Sequence, residues 1–231
     1  MSKFLIFIFI FFIGSCFGYT IELFYRRIVG GKWVNPGFLI GPYLPIYGFG
    51  LCILTGIYII FSQLTINPIL IIILMGLCMT FIELIGGLFF MKAGSVKLWD
   101  YSSLRWNYKG IICPQFSLIW TLLGALYYYF IANSVLKALV WFSNNLSFSF
   151  ILGIFFGVIV IDYVYSTKTL VKIRKFAKNN NLIVKYEEFK KHIKEIQEKN
   201  KDKYSFLFSF KQNKNLLDYL DAYKKKFRKK K

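Results

Sequence analysis

The sequence is poor in the side chains that many soluble enzymes use for chemistry. Only 18% of its residues are charged, and it has a single histidine, His192, and four cysteines. The cysteines show no CxxC spacing and fall in or beside long apolar runs: Cys16, Cys52, Cys78 and Cys113. Isolated cysteines in apolar surroundings usually act as small packing residues. These shortages predict no metal site, no disulfide and no cofactor.

A second absence is that of nucleotide-binding and catalytic motifs. The sequence has no GxxxxGK[ST] segment, which forms the phosphate-binding loop of many ATPases. No complete pair of nucleophile and general base is visible either. We therefore expect that this chain does not hydrolyse ATP itself, and a non-enzymatic role is favoured.

Apolar residues are what the sequence has in abundance, at 56% of the total, with 20% aromatic. Such a composition is typical of integral membrane proteins, whose helices need about 20 apolar residues to cross a bilayer. The sequence predicts an all-α membrane protein with a five-helix transmembrane bundle. The five predicted spans are residues 4–24, 45–61, 69–91, 116–132 and 148–166.

Basic residues in the loops predict the orientation of this bundle. The loop at residues 25–38 contains Arg26, Arg27 and Lys32, and the loop at residues 92–115 is also basic, whereas residues 62–68 contain no Lys or Arg. Because cytoplasmic loops collect Lys and Arg, the N-terminus is expected outside and the C-terminus in the cytoplasm of a multi-pass cell-membrane protein.

The C-terminal part differs sharply from the rest, so two domains are expected: a transmembrane domain at 1–167 and a basic cytoplasmic tail at 168–231. From Lys168 onward the chain holds 21 of its 30 basic residues and seven acidic ones. Two apolar stripes predict helices in this tail: Tyr186, Phe189, Ile193 and Ile196, then Leu216, Leu220, Tyr223 and Phe227. The charge favours anionic lipid headgroups as partners. Nucleic acid is disfavoured because no recognisable binding fold accompanies it.

Three acidic residues lie within the predicted spans: Glu22, Glu83 and Asp162. Charged side chains cost free energy inside a membrane, so those present usually have a partner or a function. Glu22 and Asp162 lie near the inner ends of their helices, where pairing with loop arginines such as Arg26, Arg27 or Arg105 is the simpler interpretation. Glu83 lies deeper, which favours a buried functional or packing role.

Helix-breaking residues concentrate in residues 35–50, NPGFLIGPYLPIYGFG. Non-helical backbone at membrane depth is tolerated only where protein or a water-filled cavity satisfies its polar groups. The segment therefore predicts a broken or re-entrant start to helix 2. Unwound backbone beside Glu22 and facing Glu83 would line a site open to the cytoplasm.

The segments GSCFGYTIELFYR, NPGFLIGPYLPIYGFG, FIELIGG and KLWDYSSLRWNYKGIICPQFSLIW occur in this order. In these motifs the chain resembles the ABC-transporter permease family of bacterial membrane proteins called type IV or CmpB-like. The resemblance covers about residues 13–126. Its signature positions correspond here to Glu22, Asn35, Gly37, Gly41, Pro42, Pro45, Tyr47, Gly48, Glu83, Trp99, Asp100, Tyr101, Asn107, Gly110 and Cys113. Pro36 departs from the pattern, which has a basic residue there.

The resemblance implies a permease subunit of an ABC-type transporter that relies on a separate ATPase chain. The candidate site consists of Glu22, Asn35, Gly37, Gly41, Pro42, Pro45, Tyr47 and Glu83. The candidate partner-coupling residues are Trp99, Asp100, Tyr101, Arg105 and Asn107, in the second basic loop. Tryptophans there could instead form an aromatic belt at the membrane interface.

Two other functions remain open at this point. One is a membrane-embedded enzyme that acts on a lipid-linked substrate at the inner leaflet, with acids as proton donors and arginines on phosphate. The other is a non-catalytic scaffold whose basic tail docks a cytoplasmic partner. Glycine pairs Gly14/Gly18 and Gly153/Gly157 would also permit close helix contacts, including homo-oligomers.

Overall fold

A computed structural model describes residues 2–31, 33–94, 96–180, 182–199 and 216–228 of the chain. The side chains of residues 92–94, 197–199 and 226–228 lie outside this description. Within the described part the protein is largely helical. Six helices come from the apolar part of the sequence: α1 (Lys3–Gly30), α2 (Pro45–Phe61), α3 (Pro68–Gly94), α4 (Pro114–Leu126), α5 (Ala132–Asn144) and α6 (Ser149–Asn179).

Four stretches are long and apolar enough to cross a membrane. They are Lys3–Val29, Pro68–Met91, Pro114–Asn144 and Leu146–Asn179, and α2 is a shorter apolar helix of 17 residues. Two of the five predicted spans therefore differ from the structure. The second, at residues 45–61, forms a helix with the predicted bounds, but this helix is shorter than the four long stretches. The span predicted at residues 116–132 is part of a longer stretch.

That longer stretch consists of α4, a π-helix at Tyr127–Ile131 and α5. The sequence predicts a loop after residue 132, but the chain stays helical to Asn144. Val135 and Phe142 are buried on one face of α5. This amphipathic pattern, with apolar side chains three or four residues apart, keeps the segment helical and packed against the protein.

Prolines and glycines define several helix ends and contacts. Pro45 and Pro114 begin α2 and α4, at positions where the missing N–H of proline costs little. Gly14 and Gly18 of α1 face α2, and a Cβ atom added at Gly18 would lie 2.2 Å from the Cβ of Tyr47. This glycine pair therefore serves a contact within the chain. A Cβ atom added at Gly153 would meet no atom of another part of the chain within 4 Å.

The C-terminal part forms a small layer against one end of the bundle. Strand β2 (Val184–Lys185) pairs in parallel with β1 (Val96–Lys97), and α7 (Tyr186–Lys199) and α8 (Leu216–Arg228) follow. Their shared core contains Val96, Ile173, Ala177, Val184, Tyr186, Phe189, Ile193, Tyr219, Leu220 and Tyr223. Both apolar stripes predicted in the tail thus face one core, although the side chain of Phe227 lies outside the described residues.

Candidate functional site

The segment between α1 and α2 is not helical, and Asp162 of α6 holds its middle in place. The carboxylate of Asp162 accepts hydrogen bonds from the backbone N–H groups of Ile40 at 3.0 Å and Gly41 at 2.8 Å. It also accepts from the hydroxyl groups of Tyr43 at 2.5 Å and Ser166 at 2.8 Å. A buried carboxylate thereby satisfies backbone donors that no helix uses.

Asn35 and Lys190 fix the start of the same segment. The side-chain amide of Asn35 donates to the carbonyl oxygen of Ile40 at 2.9 Å, while its oxygen accepts from the N–H of Gly37 at 3.1 Å. The Nζ of Lys190, on α7, donates to the carbonyl oxygens of Asn35, at 2.8 Å, and Gly37. Burial, and then the nearby charge of Arg26, lower the pKa of Lys190 below its ordinary value.

The end of the segment reaches the middle of α1, where the N–H of Leu44 donates to the carbonyl oxygen of Ser15 at 2.9 Å. From there α2 begins at Pro45. Ser15 lies about ten residues before Tyr25, which at 1.5 Å per residue is roughly 15 Å along the helix. The non-helical residues 35–44 consequently lie beside the second half of α1.

Glu22 of α1 belongs to a polar cluster next to this segment. Its carboxylate accepts from the Nε of Arg26 at 3.0 Å and from the hydroxyl of Tyr47 at 2.8 Å. The guanidinium of Arg26 also donates to Glu187 of α7. Arg26 therefore bridges two carboxylates, one from the bundle and one from the C-terminal part.

Glu83 of α3 is buried, with 4% of its surface exposed, and has neutral hydrogen-bond donors. The hydroxyl of Tyr101 donates to it at 2.8 Å and the indole Nε1 of Trp120 at 3.0 Å. Burial, and then the charge of Glu83, raise the pKa of Tyr101, which keeps this hydroxyl protonated as a donor. The rings of Trp120 and Tyr47 lie 6.2 Å apart, so the clusters around Glu83 and Glu22 are neighbours.

These clusters border a cavity of about 530 Å³, a volume in the usual range of ligand pockets. Most of its wall is apolar and comes from α2, α3 and the non-helical segment, including Phe38, Leu39, Phe49, Ile53, Met79, Ile82, Phe89 and Phe90. The ionisable residues on the wall are Glu22, Arg26, Glu83 and Glu187, together with tyrosines. The arrangement suits a ligand that has an apolar body and a polar head.

The second basic loop connects this cavity to the C-terminal part through Asp100. The carboxylate of Asp100 accepts from the Nζ atoms of Lys97 and Lys185, each at 2.9 Å, and from the N–H of Ser102 at 3.2 Å. Burial alone would raise the pKa of Asp100, but the hydrogen bonds from Ser102, Lys185 and Lys97 outweigh burial and lower that pKa. Asp100 therefore stays ionised and ties β1 to β2.

The tip of this loop, at Arg105 and Trp106, is exposed and does not line the cavity. Trp106 is 88% exposed and has a φ of 57°, in the left-handed region that a bulky side chain rarely adopts. Arg105 beside it is exposed as well. Asn107 stabilises the turn, since its amide donates to the carbonyl oxygen of Leu104 at 2.7 Å and its oxygen accepts from the N–H of Gly110 at 2.9 Å.

The structure brings most of the predicted site residues to one place. Five of them line the cavity: Glu22, Gly37, Pro45, Tyr47 and Glu83. Asn35, Gly41 and Pro42 belong instead to the non-helical segment that forms part of its wall. Of the partner-coupling candidates, Trp99 and Tyr101 also line the cavity, and Trp99 donates to the carbonyl oxygen of Ile111 at 2.8 Å.

Three contacts in this region were not foreseen from the sequence. Asp162 holds the non-helical segment through backbone donors, whereas the sequence favours an arginine partner for it. Trp120 donates to Glu83, and Glu187 reaches the cavity from α7. The first contact has a signal in the sequence: Asp162 is a charge inside an apolar window, and residues 35–44 are a non-helical segment whose backbone N–H groups need acceptors. The other two contacts depend on tertiary packing.

The fold defines an α-helical membrane protein, and its cavity has a largely apolar wall with a few charged residues. The chain belongs to the family described as "Putative ABC-transporter type IV", whose model matches residues 9–167. This match confirms the resemblance seen in the sequence motifs. Comparison with curated proteins and with solved structures gave no match.

Proposed function

We propose that this chain is the membrane-embedded permease subunit of an ABC-type transporter and that the cavity is its substrate site. The observation that carries the proposal is the cavity itself, which combines an apolar wall from α2 and α3 with ionisable residues at one side. A membrane permease for an amphiphilic molecule needs both features at one site. A separate ATPase chain supplies the energy.

The second basic loop is the proposed route by which the ATPase acts on the site. Its exposed tip, Arg105 and Trp106, offers a cation and a large aromatic ring, both favoured at protein interfaces. Through Tyr101 the same loop contacts Glu83. Movement of the tip would be transmitted to the polar wall of the cavity over one short segment.

The proposed topology follows the basic residues. The chain crosses the membrane five times, through α1, α2 completed by the re-entrant residues 35–44, α3, the continuous stretch from α4 to α5, and α6. Both basic loops and the C-terminal tail face the cytoplasm. Lys190 donates to Asn35, Lys185 pairs with Asp100, and β2 pairs with β1, so these parts of the chain meet, which agrees with a common side. Anionic lipid headgroups attract the basic tail on that side.

Chemical crosslinking in the native membrane, followed by purification of the chain, tests for the ATPase. We expect an ATP-binding chain to be captured by the wild type and lost from Trp106→Gly, which removes the aromatic ring and relieves the positive φ. Lys109→Gly is the matched control, because Lys109 also has a positive φ, of 55°. Capture of the wild type without any ATPase, or equal capture by Trp106→Gly, would contradict the proposal.

A membrane-embedded enzyme is the second candidate, because the cavity places carboxylates and a guanidinium beside an apolar slot. An enzyme of this kind would convert a lipid-linked substrate in detergent without a partner chain. Loss of that turnover in Glu83→Gln would favour it. A scaffold, by contrast, would tolerate Glu83→Gln and lose function when residues 168–231 are removed.

A further inference from the structure

The charges on the wall of the cavity are unbalanced. Glu22, Glu83 and Glu187 contribute carboxylates, and among the described lining residues Arg26 is the one cation. Lys190 lies nearby, but its Nζ is held by the carbonyl oxygens of Asn35 and Gly37. Even with Lys190 included, the carboxylates outnumber the cations.

The single guanidinium on this wall is already committed. Arg26 donates to both Glu22 and Glu187, and side-chain exposure of Arg26 is only 17%. To bind Arg26, an anionic head group would have to displace Glu22 or Glu187 from it. Glu83, in contrast, accepts from the neutral donors Tyr101 and Trp120 and has no cationic partner among the described residues.

Aromatic rings add a second, independent preference for a cation. Nine of the residues on the wall are aromatic: Phe38, Tyr43, Tyr47, Phe49, Phe89, Phe90, Trp99, Tyr101 and Trp120. The faces of such rings attract ammonium groups, and recognition of quaternary ammonium ligands commonly uses several rings together. Tyr47, Tyr101 and Trp120 are also the residues that bond Glu22 and Glu83, which places rings and carboxylates together.

Glu187 comes from a different part of the chain than the other two carboxylates. It lies on α7, beyond residue 167, where the family match ends. Without Glu187, Arg26 would keep one carboxylate partner and its remaining N–H groups would face the cavity. The C-terminal part therefore changes the electrostatics of a site that is otherwise built by the membrane helices.

We propose that the cavity binds a cationic amphiphile, with an apolar body and a protonated amine or quaternary ammonium head, and that Glu187 determines this preference. The inference rests on the proposed role of the cavity as the substrate site. Glu22 and Glu83 attract the head, the aromatic rings surround it, and Glu187 neutralises Arg26.

Photocrosslinking of the full chain in phosphatidylcholine nanodiscs tests this specificity. Three probes carry the same diazirine-labelled dodecyl chain and a trimethylammonium, a sulfate or a hydroxyl head, and mass spectrometry locates the labelled residues. At the cavity residues of α2 and α3 we expect the ammonium probe to label about tenfold more than the sulfate probe, as for a charge difference at a partly screened site.

Variants of α7 separate the role of Glu187 from general effects. Glu187→Gln is expected to reduce the ammonium-to-sulfate ratio at least threefold, Glu187→Asp to retain it, and Glu188→Gln to leave it unchanged. Glu188 is the matched control, because it is the next residue, its side chain is 48% exposed and it does not line the cavity. Glu187→Asp retains the charge if Glu187→Gln destabilises α7.

The outcomes distinguish this inference from the proposed function. Equal labelling by the ammonium and sulfate probes, or an equal effect of Glu187→Gln and Glu188→Gln, would overturn the inference and leave the substrate site in place. Failure of all three probes to label the cavity of the wild type would instead overturn the cavity as a site for amphiphiles.

Discussion

At the scale of single residues, three carboxylates organise the region around the cavity, and each has a distinct set of donors. Asp162 is bonded by backbone N–H groups and hydroxyls, Glu22 by a guanidinium and a phenol, and Glu83 by a phenol and an indole. A carboxylate in an apolar environment is stable only with such donors. Asp162 therefore has a structural role, whereas Glu22 and Glu83 border the cavity.

The role of Asp162 predicts a graded loss of stability. In Asp162→Asn the charge is lost and one carboxylate oxygen becomes an NH₂ group that cannot accept from the N–H of Ile40, which contacts both oxygens, so we expect a loss of about 2–3 kcal/mol. Ser166→Ala removes one donor and leaves the carboxylate, so about 1 kcal/mol or less is expected. Thermal unfolding in detergent measures both, and equal losses would contradict this role.

Sequence reasoning located the acids and the helix breakers but not their partners. The apolar windows, the costly charges and the cluster of proline and glycine in residues 35–50 are local signals, and five of the eight candidate site residues line the cavity. Trp120 lies 37 residues from Glu83, and Glu187 lies 161 residues from Arg26. Such contacts depend on the arrangement of whole helices, which no local pattern specifies.

At the scale of elements, α7 and β2 hold the two basic loops at the end of the bundle. Lys190 donates a hydrogen bond to the first loop. The second loop is held by the pairing of β1 with β2 and by the ion pair between Asp100 and Lys185. The sequence predicted α7 from its apolar stripe, which does face the core. It predicted only a basic cytoplasmic tail that attracts anionic lipid headgroups, because the polar face of α7 gives no sign that Glu187 binds Arg26 of α1 or that Lys190 binds the first loop.

The lowered pKa of Asp100 predicts how this attachment responds to acid. A carboxyl group whose pKa is lower in the folded state stabilises the folded state at pH values above its ordinary pKa. For Asp100 that ordinary pKa is 3.8, and the stabilisation of the fold disappears as the pH falls through the lowered pKa. Hydrogen exchange of β1 and β2, corrected for intrinsic rates, should therefore show equal protection at pH 7 and pH 5 in the wild type.

Asp100→Asn should lose part of that protection at both pH values, because Lys97 and Lys185 then lack a charged partner. Asp218→Asn is the control, since Asp218 is exposed on α8. Loss of wild-type protection between pH 7 and pH 5, or unchanged protection in Asp100→Asn, would show that Asp100 does not hold the two strands together.

At the scale of the whole molecule, the part of the chain that matches the family and the C-terminal part both contribute to the cavity. Residues 9–167 contain the helices that build the cavity, and α6 continues without a break to Asn179. The C-terminal part then returns to the same end of the bundle and contributes Glu187. We infer that the helices of the family region form the permease and that the C-terminal part sets the ligand preference of its cavity.

The most direct test of the account is ATP hydrolysis by the complex purified from native membranes and placed in nanodiscs. Dodecyltrimethylammonium should raise the rate of hydrolysis in the wild type. Glu83→Gln keeps one acceptor oxygen, for either Tyr101 or Trp120, but removes the charge, so it should abolish this increase while basal hydrolysis persists. A wild-type rate that does not respond to the ammonium ligand, or an equal response in Glu83→Gln, would contradict the account.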